Sequence, residues 1–294
     1  MDVPEKKVEK LFLPRHGFID PASVSYPRLF GIINLTPDSF SDGGRFFCVE
    51  EAVKCACKLL DEGAFAIDAG GESTRPGAEV ISVEEEKKRV IPFIKALRRE
   101  RPQAVISIDT RNSAVAASAM EAGADIINDV SGLQFDPDMG KVAGDTSAGL
   151  ILTHSRGTPQ TMKEERFLLY NDIVKDVADF LNSAAEKAIG DHGIKRESIL
   201  LDPGLGFAKT PEQDWLLCQK AEELRSLTSF PLFYAPSRKS FLKKITGNEP
   251  AAGRDSATFG ILGKLLLAGV EFLRVHDVKN TVMFLESFSC ALKK

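Results

Sequence analysis

The sequence has no long hydrophobic run, no pair of cysteines in C-x-x-C spacing and no excess of positive charge. No segment approaches the roughly 18 uninterrupted apolar residues that indicate a membrane-spanning helix, so we expect no membrane partner. A net charge of -4 and a pI of about 5.7 argue against a nucleic-acid partner. The five cysteines are an odd number, which fits a reducing compartment better than a disulfide framework.

The N-terminal segment is charged where a secretory signal peptide would be hydrophobic. Glu5, Lys6 and Lys7 precede any apolar run, and Glu9 and Lys10 follow them. We therefore expect a cytoplasmic protein. Hydrophobic residues make up 43% of the 294-residue chain, enough for a sizeable core.

Eight short apolar runs recur along the chain, and most are β-branched or aromatic. Their near-continuous apolarity is typical of strands buried on both faces, as in a parallel sheet. The eight predicted strands are 28–34, 64–69, 104–109, 125–130, 149–154, 198–202, 231–235 and 270–276.

Helical patterns alternate with these strands. Ser82 with Glu85 three residues later forms a capping-box signature at the start of one helix, and Gly63 and Gly123 follow two others. The predicted helices are 50–62, 82–99, 113–121, 137–143, 164–189, 211–227, 254–267 and 278–292.

About eight β-then-α units in one chain of this length favour a closed barrel over a doubly wound open sheet. No change in composition marks a linker between domains. We therefore predict a single (β/α)8 TIM barrel over residues 27–294, preceded by an N-terminal extension, residues 1–26.

Polar and charged side chains stand where the predicted strands end. In barrels of this kind the reacting groups lie at the carboxyl ends of the strands, so these side chains are expected to converge on one mouth. They are Asn34, Asp68, Asp109, Asn128, Asp129, His154, Asp202, Lys239, Arg274 and His276.

Each of these residues has an ordinary structural interpretation when taken alone. Asp109 could cap the next helix, Asp202 could form a turn before Pro203, and His154 could be a core histidine. Arg274 and His276 are harder to explain in this way. They are two apart in a strand and share a face, and burying two cations without an anion is costly.

Two long polar loops follow the first two strands. "LTPDSFSDGGRF" and "GGESTRPGAEV" are glycine-rich and carry acids together with Arg75, which favours a lid over the reactants. "PGLGF" at 203–207 lacks the spacing of a dinucleotide fingerprint and predicts a tight turn. In "PSRKSF", Lys239 and Ser240 stand at a potential helix N-terminus, where an anion could bind.

Seven motifs in order resemble the dihydropteroate synthase family, and they span residues 29–280. They are "GIINLTPDSFSDGG", "IDAGGESTRPGA", "SIDTRNS", "IINDVSG", "LLDPGLGF", "PSRKSF" and "RVHDV". The resemblance implies an enzyme of folate biosynthesis. It would join 6-hydroxymethyl-7,8-dihydropterin diphosphate to p-aminobenzoate and release pyrophosphate, with Mg²⁺ as cofactor.

The resemblance also implies roles for individual residues. Pterin-binding residues would be Asp109, Asn128, Asp202, Phe207, Lys239 and Arg274. Those on the p-aminobenzoate side would be Thr74, Arg75, Pro76, Phe207 and Ser240, with Lys239 also near that substrate. Those around the diphosphate would be Asn34, Arg75, Arg274 and His276, with Asn34 also the metal ligand. The implied catalytic residues are Asp109, Lys239, Arg274 and His276, and a homodimer through roughly 253–292 is implied as well.

The residue types agree with a dissociative, Mg²⁺-assisted substitution. A buried carboxylate suits the amino-pyrimidine edge of a pterin, and Asn128 can both donate and accept there. Cations would stabilise a departing diphosphate, and loops that exclude water would protect the cation left behind. An aniline is a free base at neutral pH, so no strong general base is required.

Some residues depart from the family pattern, and other functions stay open. Thr153 and Ser155 flank His154 where the family often has methionines, and Tyr234 precedes Ala235 where small or aliphatic residues are frequent. A pterin-binding methyltetrahydrofolate methyltransferase would share the carboxylate and amide pocket without needing a diphosphate site. A sugar-phosphate isomerase or a Schiff-base aldolase, with Lys239 as the lysine, and a non-catalytic barrel are further alternatives.

Overall fold

One antiparallel ribbon and one parallel sheet contain the strands of the part of the chain that the structure describes. The computed structural model describes residues 10–36, 49–73, 77–247 and 249–292. The ribbon pairs β1 (Leu11–Leu13) with β2 (Gly17–Ile19). The parallel strands are β3 (Arg28–Asn34), β4 (Ala66–Gly70), β5 (Val105–Asp109), β6 (Ile126–Asp129), β7 (Gly149–Thr153), β8 (Ile199–Asp202), β9 (Phe233–Tyr234) and β10 (Phe272–Val275).

The parallel sheet closes on itself. Its strand order is β8-β7-β6-β5-β4-β3-β10-β9. The two end strands meet through a parallel bridge between Leu201 and Leu232, where the Leu201 N–H donates to the Pro231 carbonyl at 3.0 Å. Together with the flanking helices this is a (β/α)8 TIM barrel, which confirms the predicted fold and all eight predicted strands.

Eleven α-helices lie among the described residues, most of them between consecutive barrel strands. Ser82 caps α2 by accepting from the Glu85 N–H at 3.2 Å, as its sequence pattern predicted. The helices are α1 (Val49–Asp61), α2 (Val83–Glu100), α3 (Ser113–Ala122), α4 (Met139–Thr146), α5 (Glu165–Leu168), α6 (Ile173–His192), α7 (Pro211–Gln219), α8 (Ala221–Leu227), α9 (Lys243–Thr246), α10 (Asp255–Leu267) and α11 (Val278–Leu292).

Two predicted helices are wrong in extent because a helix boundary lies inside an apolar pattern that continues across it. Helix 164–189 is two helices, since Asp172 accepts from the N–H groups of Val174 and Lys175 and so starts α6 afresh. Helix α6 also continues past Gly190 to His192, and Gly193 follows it as a C-cap in the left-handed conformation. Helix 211–227 is likewise divided, at Lys220, whose backbone leaves the helical region.

An apolar cluster fills the end of the barrel where the strands begin. The rings of Phe30 and Phe233 meet edge to face at 5.0 Å, and Phe272 lies 6.1 Å from Phe30. Leu11 and Leu13 of the ribbon belong to the same cluster and are fully buried. The described part of the predicted N-terminal extension, residues 10–26, therefore closes this end of the barrel.

The layer between barrel and helices forms the larger core. In α2, for example, Val90, Phe93, Ile94 and Leu97 are fully buried, at helical spacing on one face. No helix in the described ranges is long and apolar enough to cross a membrane. One apolar layer fills the end of the barrel where the strands begin, and the other lies between the strands and the helices. The polar residues at the carboxyl ends of the strands therefore lie at the opposite mouth of the barrel.

Candidate active site

Arg274 joins two carboxylates at the mouth of the barrel. Its Nε donates to Asp68 Oδ2, and its Nη2 donates to Asp109 Oδ2 at 2.8 Å. Asp68 is fully buried and also accepts from Ser107 Oγ and from Asn128 Nδ2. The three strands β4, β5 and β10 thus hold a guanidinium between two acids, an arrangement that fixes its orientation.

Two buried acceptor atoms at this mouth have no hydrogen-bond partner within the described ranges. Oδ1 of Asp109 and Oδ1 of Asn128 are buried and accept no hydrogen bond from any residue that the structure describes. Leaving buried acceptors unpaired costs free energy, so a ligand with N–H donors would be stabilised here. Burial raises the pKa of Asp109 to about 7, with Arg274 opposing the shift and the Asp68 charge adding to it.

Asp202 ends β8 as a buried carboxylate with one oxygen already bonded. Its Oδ1 accepts from the Gly204 N–H at 2.8 Å, and Thr153 Oγ1 lies 3.5 Å from Oδ2. Burial raises the pKa of Asp202, while the Gly204 N–H and then the Lys239 ammonium act against that rise. Thr153, a departure from the family pattern, therefore presents a hydroxyl to this carboxylate.

Lys239 follows β9 and faces the same space. Its Nζ lies 4.7 Å from the centre of the Phe207 ring, a cation–π contact. Removal from water lowers the pKa of Lys239, and Asp202 opposes this most strongly. Ser240 is exposed and begins only a single 3₁₀ turn, Ser240–Leu242, so the predicted anion site at a helix N-terminus gains little from a helix dipole.

His276 is held by Ser237, a serine of the loop after β9. Ser237 Oγ lies 2.9 Å from His276 Nδ1 and accepts from the His276 N–H at 3.2 Å. Ser237 is buried, so this pairing orients the imidazole at the end of β10. Asn34, the last residue of β3, lies partly exposed at the same mouth.

The predicted strand-end residues act on one another electrostatically. Burial is the main cause that lowers the pKa of Lys239. The charges of Asp202 and Asp109 raise this pKa, and the charge of Arg274 lowers it further. For Arg274, burial opposes a pKa rise that Asp68 and Asp109 produce, with Asp202 contributing. The four groups lie at or just past the ends of β5, β8, β9 and β10 in the closed barrel, so they face one mouth, which the sequence alone predicted only from their positions.

Part of the predicted site lies outside the described residues. Thr74, Arg75 and Pro76 belong to this part, and so do residues 37–48 of the first long loop. The start of the second loop is described, and there Glu72 pairs with Arg111 through two contacts of 3.1 Å. Both side chains are only 6% exposed, so this ion pair anchors the loop to the end of β5.

His154 and Asp129 were predicted among the strand-end groups, but their contacts are with neighbouring protein groups that they help to hold in place. His154 is 1% exposed and packs against Phe180, with ring centres 4.9 Å apart. Asp129 accepts from Ser131 and from the Leu133 N–H, which closes its own loop. The interpretation of His154 as a core histidine therefore fits its position.

Sequence reasoning gave no site role to three residues that contact the predicted ones. Asp68 appeared only as a strand-end acid, although an acid inside a continuous apolar strand signals an inward-facing charge. Ser237 lies within the "PSRKSF" motif, which could have drawn attention to it. Lys209 carries no such signal, since a lysine in a loop is ordinarily exposed.

Comparison with known proteins agrees with this geometry. Residues 30–276 match the family described as pterin binding enzyme. A dihydropteroate synthase from Synechocystis sp. is 44% identical over 85% of this chain and 85% of its own length.

Two solved structures match over nearly the whole chain. Dihydropteroate synthase from Yersinia pestis, in a sulfonamide drug complex, has a TM-score of 0.86 at 35% identity and covers 96% of this chain and 98% of its own. The enzyme from Xanthomonas albilineans, in complex with 7,8-dihydropteroate, has a TM-score of 0.84 at 32% identity, over 97% of this chain and 99% of its own. The chain belongs to the dihydropteroate synthase family of pterin-binding enzymes.

Proposed function

We propose that the protein condenses 6-hydroxymethyl-7,8-dihydropterin diphosphate with p-aminobenzoate to give 7,8-dihydropteroate and pyrophosphate. The observation that carries the proposal is the barrel mouth, where Arg274 binds Asp68 and Asp109 and where the buried Asp202 and the partly buried Lys239 also lie, at or just past strand ends. It combines carboxylates for a flat N–H-bearing ring with cations for a leaving diphosphate. The relative from Xanthomonas albilineans, matched over nearly its whole length, binds the product of this reaction.

The pterin ring is expected to lie among Asp109, Asn128 and Asp202. The unpaired Oδ1 atoms of Asp109 and Asn128 accept from ring N–H groups, and the Asp202 carboxylate pairs with the amino-pyrimidine edge at two points. Lys239 then lies between the pterin and the second substrate, where its ammonium donates to a ring acceptor. Thr153 gives this pocket a polar wall beside Asp202.

The diphosphate is expected beside Arg274 and His276, with Asn34 and Arg75 contributing from the first two loops. Arg274 is fixed by Asp68 and Asp109, so its remaining N–H donors are oriented before the substrate arrives. His276 is oriented by Ser237 in the same way.

Asn34 fits the expected magnesium ion. Its amide offers a neutral, hard oxygen at a partly exposed position, which suits an ion that keeps most of its waters and binds substrate phosphates. When bound, Mg²⁺ would neutralise charge on the departing diphosphate.

The p-aminobenzoate side is expected to include Phe207, Lys239 and Ser240, with Thr74, Arg75 and Pro76 from the second loop. The Phe207 ring already packs against the Lys239 ammonium, so an aromatic ring can be held beside both. The Glu72–Arg111 ion pair holds the start of the second loop at the end of β5.

The reaction requires little proton chemistry from the protein. The C–O bond to the diphosphate breaks first, and the positive charge left on the pterin methylene spreads into the ring. Asp109 and Asp202 face that charge and stabilise it. The aniline nitrogen then bonds to the methylene carbon and gives up one proton to water.

One assay tests the proposal directly. Pyrophosphate release is measured with both substrates, with each omitted in turn, and with EDTA followed by added Mg²⁺. We expect release only when both substrates are present, with loss in EDTA and recovery with Mg²⁺. A protein that binds a pterin but releases no pyrophosphate under any of these conditions would contradict the proposal and favour a methyltransferase instead.

Two further expectations belong to this proposal: a homodimer through roughly 253–292 and a cytoplasmic location. Leu267 of α10 and Met283 of α11 are exposed, at 48% and 60%, which supports a contact on this face. Sedimentation of the purified protein tests the dimer, and a single species at the monomer mass of 32.1 kDa would contradict it.

A further inference from the structure

Lys209 is a buried amine that the proposed reaction does not use. Its side chain is only 1% exposed. Its Nζ lies 2.9 Å from the Gly204 carbonyl oxygen and 3.0 Å from that of Phe207. It also lies 2.9 Å from His154 Nδ1 and 3.4 Å from the His154 carbonyl oxygen. One lysine therefore ties the loop after β8 to the end of β7.

The loop that Lys209 holds has a demanding backbone. Gly204 has φ of +69°, and a Cβ there would meet the His154 carbonyl oxygen at 2.0 Å. Ala208, which is not a glycine, also lies in the left-handed region, with φ of +48°. Such a conformation persists only when its surroundings fix it, and carbonyl groups bonded to a buried amine do this.

The same loop carries two groups of the proposed site. The Gly204 N–H holds one oxygen of Asp202 at 2.8 Å, on the pterin side. The Phe207 ring packs against the Lys239 ammonium, on the p-aminobenzoate side. Lys209 thus binds the carbonyl of Gly204, whose own N–H holds Asp202, and the carbonyl of Phe207, whose ring would contact p-aminobenzoate.

The buried amine keeps its donors over the neutral pH range. Burial lowers the pKa of Lys209 to about 7, although Asp214 and Asp202 oppose the shift. Burial likewise keeps the pKa of His154 well below its ordinary value, so this ring is neutral and Nδ1 can accept. Whether charged or neutral, Lys209 has at least two N–H donors for the carbonyls of Gly204 and Phe207.

We propose that Lys209 is a positioning residue, which sets the Phe207 ring for p-aminobenzoate and supports Asp202 through the shared loop. The proposal rests on the proposed function for the identity of the two substrates. Because the Gly204 N–H bond to Asp202 is local and can survive without Lys209, the p-aminobenzoate side depends on Lys209 more strongly than the pterin side does.

Lys209→Met tests this by removing the donors while keeping an unbranched apolar stem. We expect the KM for p-aminobenzoate to rise about fivefold to tenfold, the effect of one or two lost hydrogen bonds, and the KM for the pterin diphosphate to change less than about threefold. A purely structural role would lower the amount of active enzyme and leave both KM values unchanged. The matched control is Lys195→Met, which removes an ammonium over the Phe12 ring outside the site.

A double variant tests whether Lys209 acts through Phe207. In a Phe207→Ala background, Lys209→Met should raise the KM for p-aminobenzoate by less than about twofold, because coupled residues are not additive. An effect as large as in the wild-type background would overturn the proposal. If Lys209→Met does not fold, Lys209→Gln is used instead, because its stem is one bond shorter and cannot hold both the Gly204 and the Phe207 carbonyls as Lys209 does. We expect a smaller rise in the KM for p-aminobenzoate in that variant, and an unchanged KM would overturn the proposal.

Hydrogen exchange separates this proposal from the proposed function. Amide exchange in residues 204–208 should become faster in Lys209→Met while exchange in β3–β7 stays as in the wild type. This measurement decides whether Lys209 holds the loop even if the wild-type protein released no pyrophosphate, a result that would contradict the proposed function alone. Unchanged exchange in residues 204–208 would overturn the positioning role.

Discussion

Replacing Asp68 by asparagine tests how the site holds Arg274. Asp68 is fully buried and accepts from Arg274 Nε, from Asn128 Nδ2 and from Ser107 Oγ. Asp68→Asn keeps the shape and one acceptor oxygen but removes the charge beside the guanidinium. Arg274 then keeps only Asp109 as a charged partner and can turn away from the position expected for the diphosphate.

The magnitude follows from the contact that is lost. A hydrogen bond to a charged group contributes about 1.5–3 kcal/mol, so a loss of about 2 kcal/mol in transition-state stabilisation is expected. That corresponds to a fall of about 30-fold in kcat/KM for the pterin diphosphate.

A second consequence appears in the pH profile. Burial, together with the Asp68 charge, raises the pKa of Asp109 to about 7 against the effect of Arg274. Removing the Asp68 charge lowers the pKa of Asp109. If the ionised Asp109 is the form that binds the pterin, the rising limb of kcat/KM near pH 7 should move to lower pH.

The assay is pyrophosphate release from pH 5 to 9, with Asp125→Asn as the matched control. Asp125 is also buried and paired with an arginine, Arg98, at 2.6 Å, but at the opposite end of the barrel. The control should lose stability and keep the wild-type kcat/KM and pH profile. An Asp68→Asn variant with wild-type kcat/KM and an unmoved limb would refute the reasoning.

Three further predictions concern stability and the reacting groups. Because the folded-state pKa of Asp109 lies near 7 and its ordinary value is 3.8, the proton on Asp109 stabilises the fold at low pH and this contribution is lost as pH rises to about 7. The free energy of unfolding, measured with denaturant, should therefore decrease less from pH 5 to pH 8 in Asp109→Asn than in the wild type. An equal decrease in the two proteins would contradict this. Lys239→Ala should cost at least about 2–3 kcal/mol of transition-state stabilisation, a fall of at least about 30-fold in kcat/KM. Lys243→Ala, an exposed neighbour, should leave kcat/KM unchanged, and near-normal turnover in Lys239→Ala would remove Lys239 from the site. Leu13→Ala should lower the free energy of unfolding by about 3 kcal/mol and leave the KM values unchanged. Phe18→Ala, whose side chain is 64% exposed, should lower it by less than about 0.5 kcal/mol. A small effect for Leu13→Ala would mean that the ribbon does not close the barrel.

The fold could be predicted from the sequence because its signals are local. Near-continuous apolar runs such as 28–34 mark strands buried on both faces, and helical spacing with caps such as Ser82 marks the segments between them. Closure into a barrel then follows from the number of units. It brings Asp109, Asp202 and Arg274 together without any knowledge of their contacts.

The remaining features depend on contacts between distant residues, which no local pattern records. Asp68 and Arg274 are 206 positions apart, and their pairing requires β4 and β10 to flank β3 in the closed sheet. Lys209 is polar and lies in a loop, so its burial could not be expected. The break at Asp172 was hidden because apolar residues continue at helical spacing on both sides of it.

The most direct test of the central claim is a crystal structure of the protein with a bound pterin. We expect the ring to lie among Asp109, Asn128 and Asp202, with the Oδ1 atoms of Asp109 and Asn128 accepting from ring N–H groups. A pterin bound elsewhere, or one in the barrel mouth without contact to Asp109 and Asp202, would contradict it.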